Sequence, residues 1–311
     1  MPYSVGMTTT TTRVREGTIS FRGYEVWYRI VGEGEAPGRL PLLVLHGGPG
    51  ATHQYLEPLA DLAGSCRRVI FYDQIGCGRS GRPTDPEFYS AELFVDELAT
   101  IRRELCLDRV HLLGQSWGGM LAMQYAIDRP AGLASIVIAD SPADMGQWVS
   151  EANRLRAELP PAVAAALDEH EAAGTTDDPA YLAAVEVFYR KHVCRLDPWP
   201  DPFARTAAAL TDDGFVYNVM NGPSEFHVVG KLKTWSILER LSAIVAPTLL
   251  LSGAYDEATP AIVGAITERI PHAQWILFEH SSHTPHLEEP AAFNAAVIGF
   301  LSGVEQAASA R

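Results

Sequence analysis

Bulky apolar and polar residues alternate over residues 24–30, following a shorter alternating stretch at 18–21, and this period of two predicts a hairpin near the start of the chain. The pattern then changes to short unbroken apolar runs at Leu42–Leu45, Val69–Tyr72, 110–113 and 136–139. Runs of this length without alternation belong to strands covered on both faces, as in a parallel sheet. Between two of them Phe94, Leu98, Ile101 and Leu105 recur at helical spacing, with Ser90 placed to cap the first turn. A second helical stretch is expected over residues 117–126. Strand, helix and strand in succession predict βαβ units, hence an α/β chain with a mostly parallel central sheet.

After Asp140 the rhythm breaks. Residues 142–240 are rich in alanine, are punctuated by Pro160, Pro161, Pro179, Pro198 and Pro200, and contain no comparable apolar run. They are expected to form a mostly helical insertion. Strand patterning resumes at 248–252 and Gln274–Phe278, with helical segments near 262–269 and 290–301. The expected organisation is a flexible lead-in at 1–16 that includes the Thr8 to Thr12 run, a core formed by 17–141 and 241–311, and a helical cap at 142–240. No internal repeat is visible.

The chemistry concentrates at the ends of the predicted strands. Gly114-Gln115-Ser116-Trp117-Gly118 follows one strand directly and opens a helix. A strand that turns at once into a helix forces its central residue into a strained conformation, and flanking glycines leave room for it. Ser116 is therefore the candidate nucleophile, at a helix N-terminus that favours developing negative charge. His46-Gly47-Gly48-Pro49-Gly50 follows another strand and brings a glycine-rich loop to the same edge. An oxyanion would be held there by the N–H groups of Trp117 and, from this loop, Gly48. In this arrangement an acid and then a histidine must follow the serine along the chain. Asp256, just past the 248–252 strand, is the expected acid, with Asp140 at the end of the 136–139 strand as its rival. The base must come from the loop after the last strand, where His280, His283 and His286 compete; His283, in mid-loop, is preferred.

Composition narrows the classes. The chain has 311 residues, 47% of them hydrophobic, a size and make-up suited to one large α/β domain with an insertion. Its net charge of −14 opposes binding to nucleic acid or anionic lipid. No apolar run approaches the roughly 20 residues of a membrane-spanning helix, nor does the start carry a secretory signal. A cytoplasmic location is expected. Cys66, Cys77, Cys106 and Cys194 are scattered, which suggests free thiols rather than disulfides or a zinc site. Cys77, between two glycines, is the one expected near a pocket. His53, His111 and His227 show no metal-ligand spacing and are expected to be structural or exposed.

Four motifs occur in order: His46 to Gly50; Asp73-Gln74-Ile75-Gly76-Cys77-Gly78-Arg79-Ser80; Gly114 to Gly119; and Tyr217-Asn218-Val219-Met220-Asn221-Gly222-Pro223-Ser224-Glu225-Phe226. With them the chain resembles the proline iminopeptidase family, in its tricorn-interacting aminopeptidase and amino-acid amidase branch, over about residues 17–301. The resemblance implies an α/β-hydrolase core with an inserted helical cap, no cofactor, no metal, and release of an N-terminal residue from short peptides or amino-acid amides through an acyl-enzyme. The family's amino-group carboxylates match Glu225 and Glu257, and buried carboxylates suit recognition of a charged α-amine. The chain departs from the family at Ser282-His283-Thr284-Pro285-His286, with an extra Pro and His, and matches it least over 145–174. An esterase, lactonase or thioesterase without amino-group recognition is the alternative, and a non-hydrolytic receptor on the same scaffold a third. An epoxide hydrolase or dehalogenase would want a carboxylate where Ser116 stands.

Overall fold

The computed structural model describes residues 13–310. Most of the expected lead-in, including the threonine run, lies outside the described residues. Its last part does not behave as a lead-in: β1 (Val14–Phe21) already includes Val14, Arg15 and Glu16. β1 pairs antiparallel with β2 (Tyr24–Val31), from Val14 opposite Val31 to Phe21 opposite Tyr24. As an edge strand largely exposed in its first half, it carries little apolar signal there.

β2 runs antiparallel to β4 (Val69–Tyr72), and the remaining strands are parallel: β3 (Leu42–Leu45), β5 (Val110–Gln115), β6 (Leu133–Ala139), β7 (Thr248–Gly253) and β8 (Gln274–Phe278). The eight strands lie in the order β1-β2-β4-β3-β5-β6-β7-β8. A 3₁₀ helix at His53–Ser65 links β3 to β4. α1 (Ala91–Glu104) precedes β5, with the Ser90 hydroxyl accepting from the Leu93 N–H at 3.2 Å, and α2 (Trp117–Ile127) follows it. Between β6 and β7 stand α3 (Met145–Arg156), α4 (Pro161–Ala173), α5 (Pro179–His192), α6 (Asp201–Asp212) and α7 (Phe215–Met220). α8 (Pro260–Thr267), α9 (Pro285–Glu288) and α10 (Pro290–Ser309) complete the chain.

Consecutive residues of one strand enter different cores. Leu43 and Leu45 pack with α1, α2 and α8 residues such as Phe94, Leu98, Met120 and Ile262. Leu42 and Val44 pack on the other face with Leu56 and Leu59 of the 3₁₀ helix and with Phe293, Val297 and Leu301 of α10. Covering both faces requires apolar residues at every position, which is why these strands read as unbroken runs. Each fully buried Leu or Ile contributes roughly 1.5–3 kcal/mol. The helical insertion has a cluster of its own, joining Ala152 and Leu155 of α3, Leu167 of α4, Tyr181 and Phe188 of α5, and Phe226.

The C-terminal ends of β3, β5, β6, β7 and β8 point the same way, so the loops after them meet along one edge of the sheet. In an open α/β sheet that edge is where ligands bind.

Candidate active site

β5 ends on the buried Gln115, and α2 starts at Trp117, leaving Ser116 alone to make the turn. Its backbone lies at φ 55 and ψ −124, a conformation that costs a non-glycine residue about 1–3 kcal/mol. The neighbouring glycines are there for steric reasons. A Cβ on Gly114 would run into the Gly118 carbonyl, and one on Gly118 into the Leu45 carbonyl. β3 and the elbow can approach this closely only with no side chain between them.

Ser116 lines a small pocket together with Gly48, Trp117, Met120, Pro142, Met145, Trp148, Asn221, Glu225 and Leu232. Gly48 holds φ at +111, which presents its peptide to the cavity in a way an L side chain resists. Among the described residues neither the Gly48 nor the Trp117 N–H has a hydrogen-bond partner. Two donors without a partner thus belong to residues that line the pocket with Ser116.

The acid and base expected from the sequence are brought together. The His283 Nδ1 lies 2.6 Å from Asp256 Oδ1, which also accepts from the Ala258 N–H at 2.8 Å. Burial pulls the imidazole pKa down, but the charge and hydrogen bond of Asp256, with Glu225 behind it, outweigh burial and raise it above the usual histidine value. The Trp148 ring, whose residue lines the cavity, lies 6.0 Å from the His283 ring. The competitors are elsewhere. His280 is exposed, whereas His286 is buried with Nε2 against the Tyr55 carbonyl at 3.1 Å, and burial lowers its pKa to about 3. Asp140 is buried at the end of β6; burial first, and the charge of Asp256 next, push its carboxyl well above the carboxylate range. The imidazole's partner is Asp256, not Asp140.

Glu225 and Glu257 converge on the same place. Glu225 follows a loop beyond α7, and its Oε1 accepts from the Tyr217 hydroxyl at 2.7 Å. The Trp148 indole N–H donates to its backbone carbonyl at 2.6 Å. Glu257 is fully buried, with Oε1 3.8 Å from His283 Nε2 and neither oxygen hydrogen-bonded among the described residues. Burial raises both carboxyls, against the Tyr217 hydrogen bond for Glu225, and the charges of Glu225 and Asp256 add to it for Glu257. Both carboxyls lie near the imidazole, and burial disfavours their charged forms.

Several residues of this site escape sequence reasoning. Tyr217 stands in the fourth motif, yet nothing in the spacing reveals its bond to Glu225. Gln74, in the second, accepts from the Trp117 indole N–H and donates to the His46 carbonyl, both at 2.8 Å. It therefore ties the glycine-rich loop to the residue after Ser116. His46 is kept neutral, burial lowering it to about 4, and its Nε2 accepts from the Gln74 N–H at 2.9 Å. Cys77 is buried against this network, its Sγ donating to the Gln74 carbonyl at 3.1 Å, and is not among the cavity residues. His53 and His111 are buried and bonded to Asp73 and Ser135, and His227 is partly exposed. Among the described residues no group of three or more His, Cys, Asp and Glu is placed to hold a metal ion, and no helix is long and apolar enough to cross a membrane.

Comparison with known proteins bears on the fold and the family. A family model described as the alpha/beta hydrolase fold matches residues 41–290. A proline iminopeptidase of Levilactobacillus brevis is 39% identical over 296 residues, covering 94% of this chain and 98% of that protein. The chain belongs to the proline iminopeptidase family. Among solved structures, the family's Mycobacterium smegmatis proline iminopeptidase superposes with a TM-score of 0.88 at 45% identity, covering 94% of this chain and 100% of that one. VinJ superposes with a TM-score of 0.90 at 44% identity over 93% and 99%. The α/β-hydrolase fold and the family expected from the four motifs are both shown.

Proposed function

We propose that this chain is a serine aminopeptidase that releases an N-terminal residue, proline above all, from short peptides or amino-acid amides. Ser116 is the nucleophile, His283 its base, and Asp256 the group that orients and charges the imidazole. Ser116 attacks the carbonyl of the first residue while His283 takes its proton. The oxyanion lies on the Gly48 and Trp117 N–H groups. His283 then returns the proton to the departing amine, and water clears the acyl-enzyme by the same route in reverse. None of these steps calls for a cofactor or a metal.

The observation that carries the reading is the placing of Glu225 on the cavity that Ser116 lines, with the unpartnered Glu257 beside His283. A plain esterase gains nothing from two buried carboxyls there. A free α-ammonium offers these carboxyls a charged partner that favours their ionised forms, and a chain blocked at that end has nothing to offer them. Met120, Pro142, Met145, Trp148 and Leu232 give the cavity apolar walls, which suit a compact ring. Residues 142–240 act as the cap that closes over it, the core being 17–141 and 241–311. A cytoplasmic location, suited to trimming short peptides, is part of the same proposal.

The test is Glu225→Gln. It is expected to lower kcat/KM on amino-acid amides by about 10- to 100-fold, the size of a lost charged hydrogen bond. An ester of an acid without an amino group, such as p-nitrophenyl acetate, should be affected far less. Equal losses on both substrates would overturn the amine anchor.

A further inference from the structure

Three segments have to be held in register for the proposed reaction: the elbow carrying Ser116, the loop carrying His283 and the loop carrying Gly48. One buried chain of hydrogen bonds joins all three. Gln115, the residue before Ser116, is 2% exposed and donates through Nε2 to the backbone carbonyl of His283 at 2.8 Å. Its Oε1 accepts from the Tyr55 hydroxyl at 2.5 Å. That hydroxyl in turn accepts from the Gly47 N–H at 2.8 Å.

We infer that Gln115 and Tyr55 form a positioning bridge that sets the base loop and the oxyanion loop against the elbow, and that turnover depends on the bridge as a unit. Its polarity has one solution. The Gly47 N–H can only donate, so the Tyr55 oxygen accepts there and sends its own proton to Gln115 Oε1. The Gln115 amide must then aim its NH₂ at the His283 carbonyl. Burial raises the Tyr55 phenol far above its ordinary value, so it remains a proton donor at every working pH. With the Gly47 N–H held by Tyr55 and the Gly47 carbonyl by His46 Nδ1 at 2.9 Å, both peptides at Gly47 are engaged, the second being the one that carries the Gly48 N–H. Tyr55 is itself clamped from behind, its carbonyl against His286 Nε2 at 3.1 Å. This accounts for the histidine competing with His283 in the sequence: it braces the bridge. Neither bridge residue is among those lining the cavity, so the bridge acts through the groups it holds.

The inference rests on the acyl-transfer reading, and a double-mutant cycle on two substrates tests it. Tyr55→Phe removes one oxygen and no packing volume; Gln115→Met keeps the length of the side chain and removes both polar ends. Each is expected to lower kcat by about 10- to 100-fold on prolinamide with KM changed less than about twofold, as expected from displacing positioned groups. The double variant should lose no more than the worse single one. Losses that multiply, a rise in KM at constant kcat, or full kcat in folded Tyr55→Phe would each overturn the bridge. If Gln115→Met does not fold, Tyr55→Phe decides by its kcat and KM alone. The same measurements on p-nitrophenyl acetate separate the two readings. A chain inert on prolinamide but showing the non-additive loss on the ester keeps the bridge and loses the aminopeptidase assignment.

Discussion

Glu257 is a carboxyl in a place that does not suit its charge: fully buried, and with neither oxygen hydrogen-bonded among the described residues. Its raised pKa carries a stability consequence whose sign can be worked out. Above about 4.5, the ordinary glutamate value, the unfolded chain gives up this proton while the folded one keeps it. Stability therefore falls as pH rises through that window. Glu257→Gln removes the effect, so its melting temperature should exceed that of the parent chain at pH 7, with the gap closing as pH falls to about 4. A gap independent of pH would show that folding leaves the Glu257 pKa where it is in the unfolded chain. At this scale the sequence reveals residues whose requirement is local. Ser116 is legible because a turn of that sharpness needs glycine on both sides, and Asp256 and His283 because chain order restricts them. Gln115, Tyr55 and Gln74 are not, because each works through partners 60, 8 and 43 positions away, with no spacing rule between them.

Among the elements, the core strands are the most legible. β3 and β4 match their apolar runs end to end, since burial on both faces leaves no polar position to blur the limits; β8 also keeps its expected span, although it is a half-exposed edge strand. β5 runs on through Gln115 because it pairs with β6 as far as Ala139, a cross-strand reason that its own residues do not display. The 3₁₀ helix at His53–Ser65 is not foreseen: Pro58 interrupts it, although Tyr55, Leu56, Leu59 and Leu62 recur at helical spacing. α10 continues to Ser309, beyond the expected end near 301, because Glu305 in its last turns has a destination in the core that no helical rule supplies. In the insertion, helical content is readable from alanine and proline, whereas helix placement over the cavity depends on a few contacts such as Trp148 to the Glu225 carbonyl.

Across the whole molecule, the two ends of the fold are joined by one buried ion pair. Glu305 of α10 meets the Arg67 guanidinium at 2.9 and 3.2 Å and Arg39 at 2.8 Å, and also accepts from the Leu40 N–H at 2.8 Å. Burial alone would raise its pKa; hydrogen bonds from His111, Arg39 and Arg67 overcome that and lower it to about 2. Glu305→Gln would leave the Arg67 charge buried without its partner, and should destabilise the chain by about 3–5 kcal/mol in urea unfolding at pH 7. Because the folded pKa lies below the ordinary 4.5, this contribution is complete above that value and is lost as pH falls toward 2. The two proteins should therefore converge in stability in acid. Another long-range join lies at the opposite end of the sheet. The His283 N–H donates to the carbonyl of His192, at the end of α5 in the insertion, at 3.3 Å, and Thr284 donates to the Val193 carbonyl at 3.1 Å. The proposed base thus carries an amide proton whose acceptor belongs to the insertion, so exchange of that proton would report on any separation of the insertion from the loop after β8. In hydrogen–deuterium exchange followed at that amide, a bound unreactive prolyl ligand should slow its exchange, while amides in the β1–β2 hairpin should keep their rate.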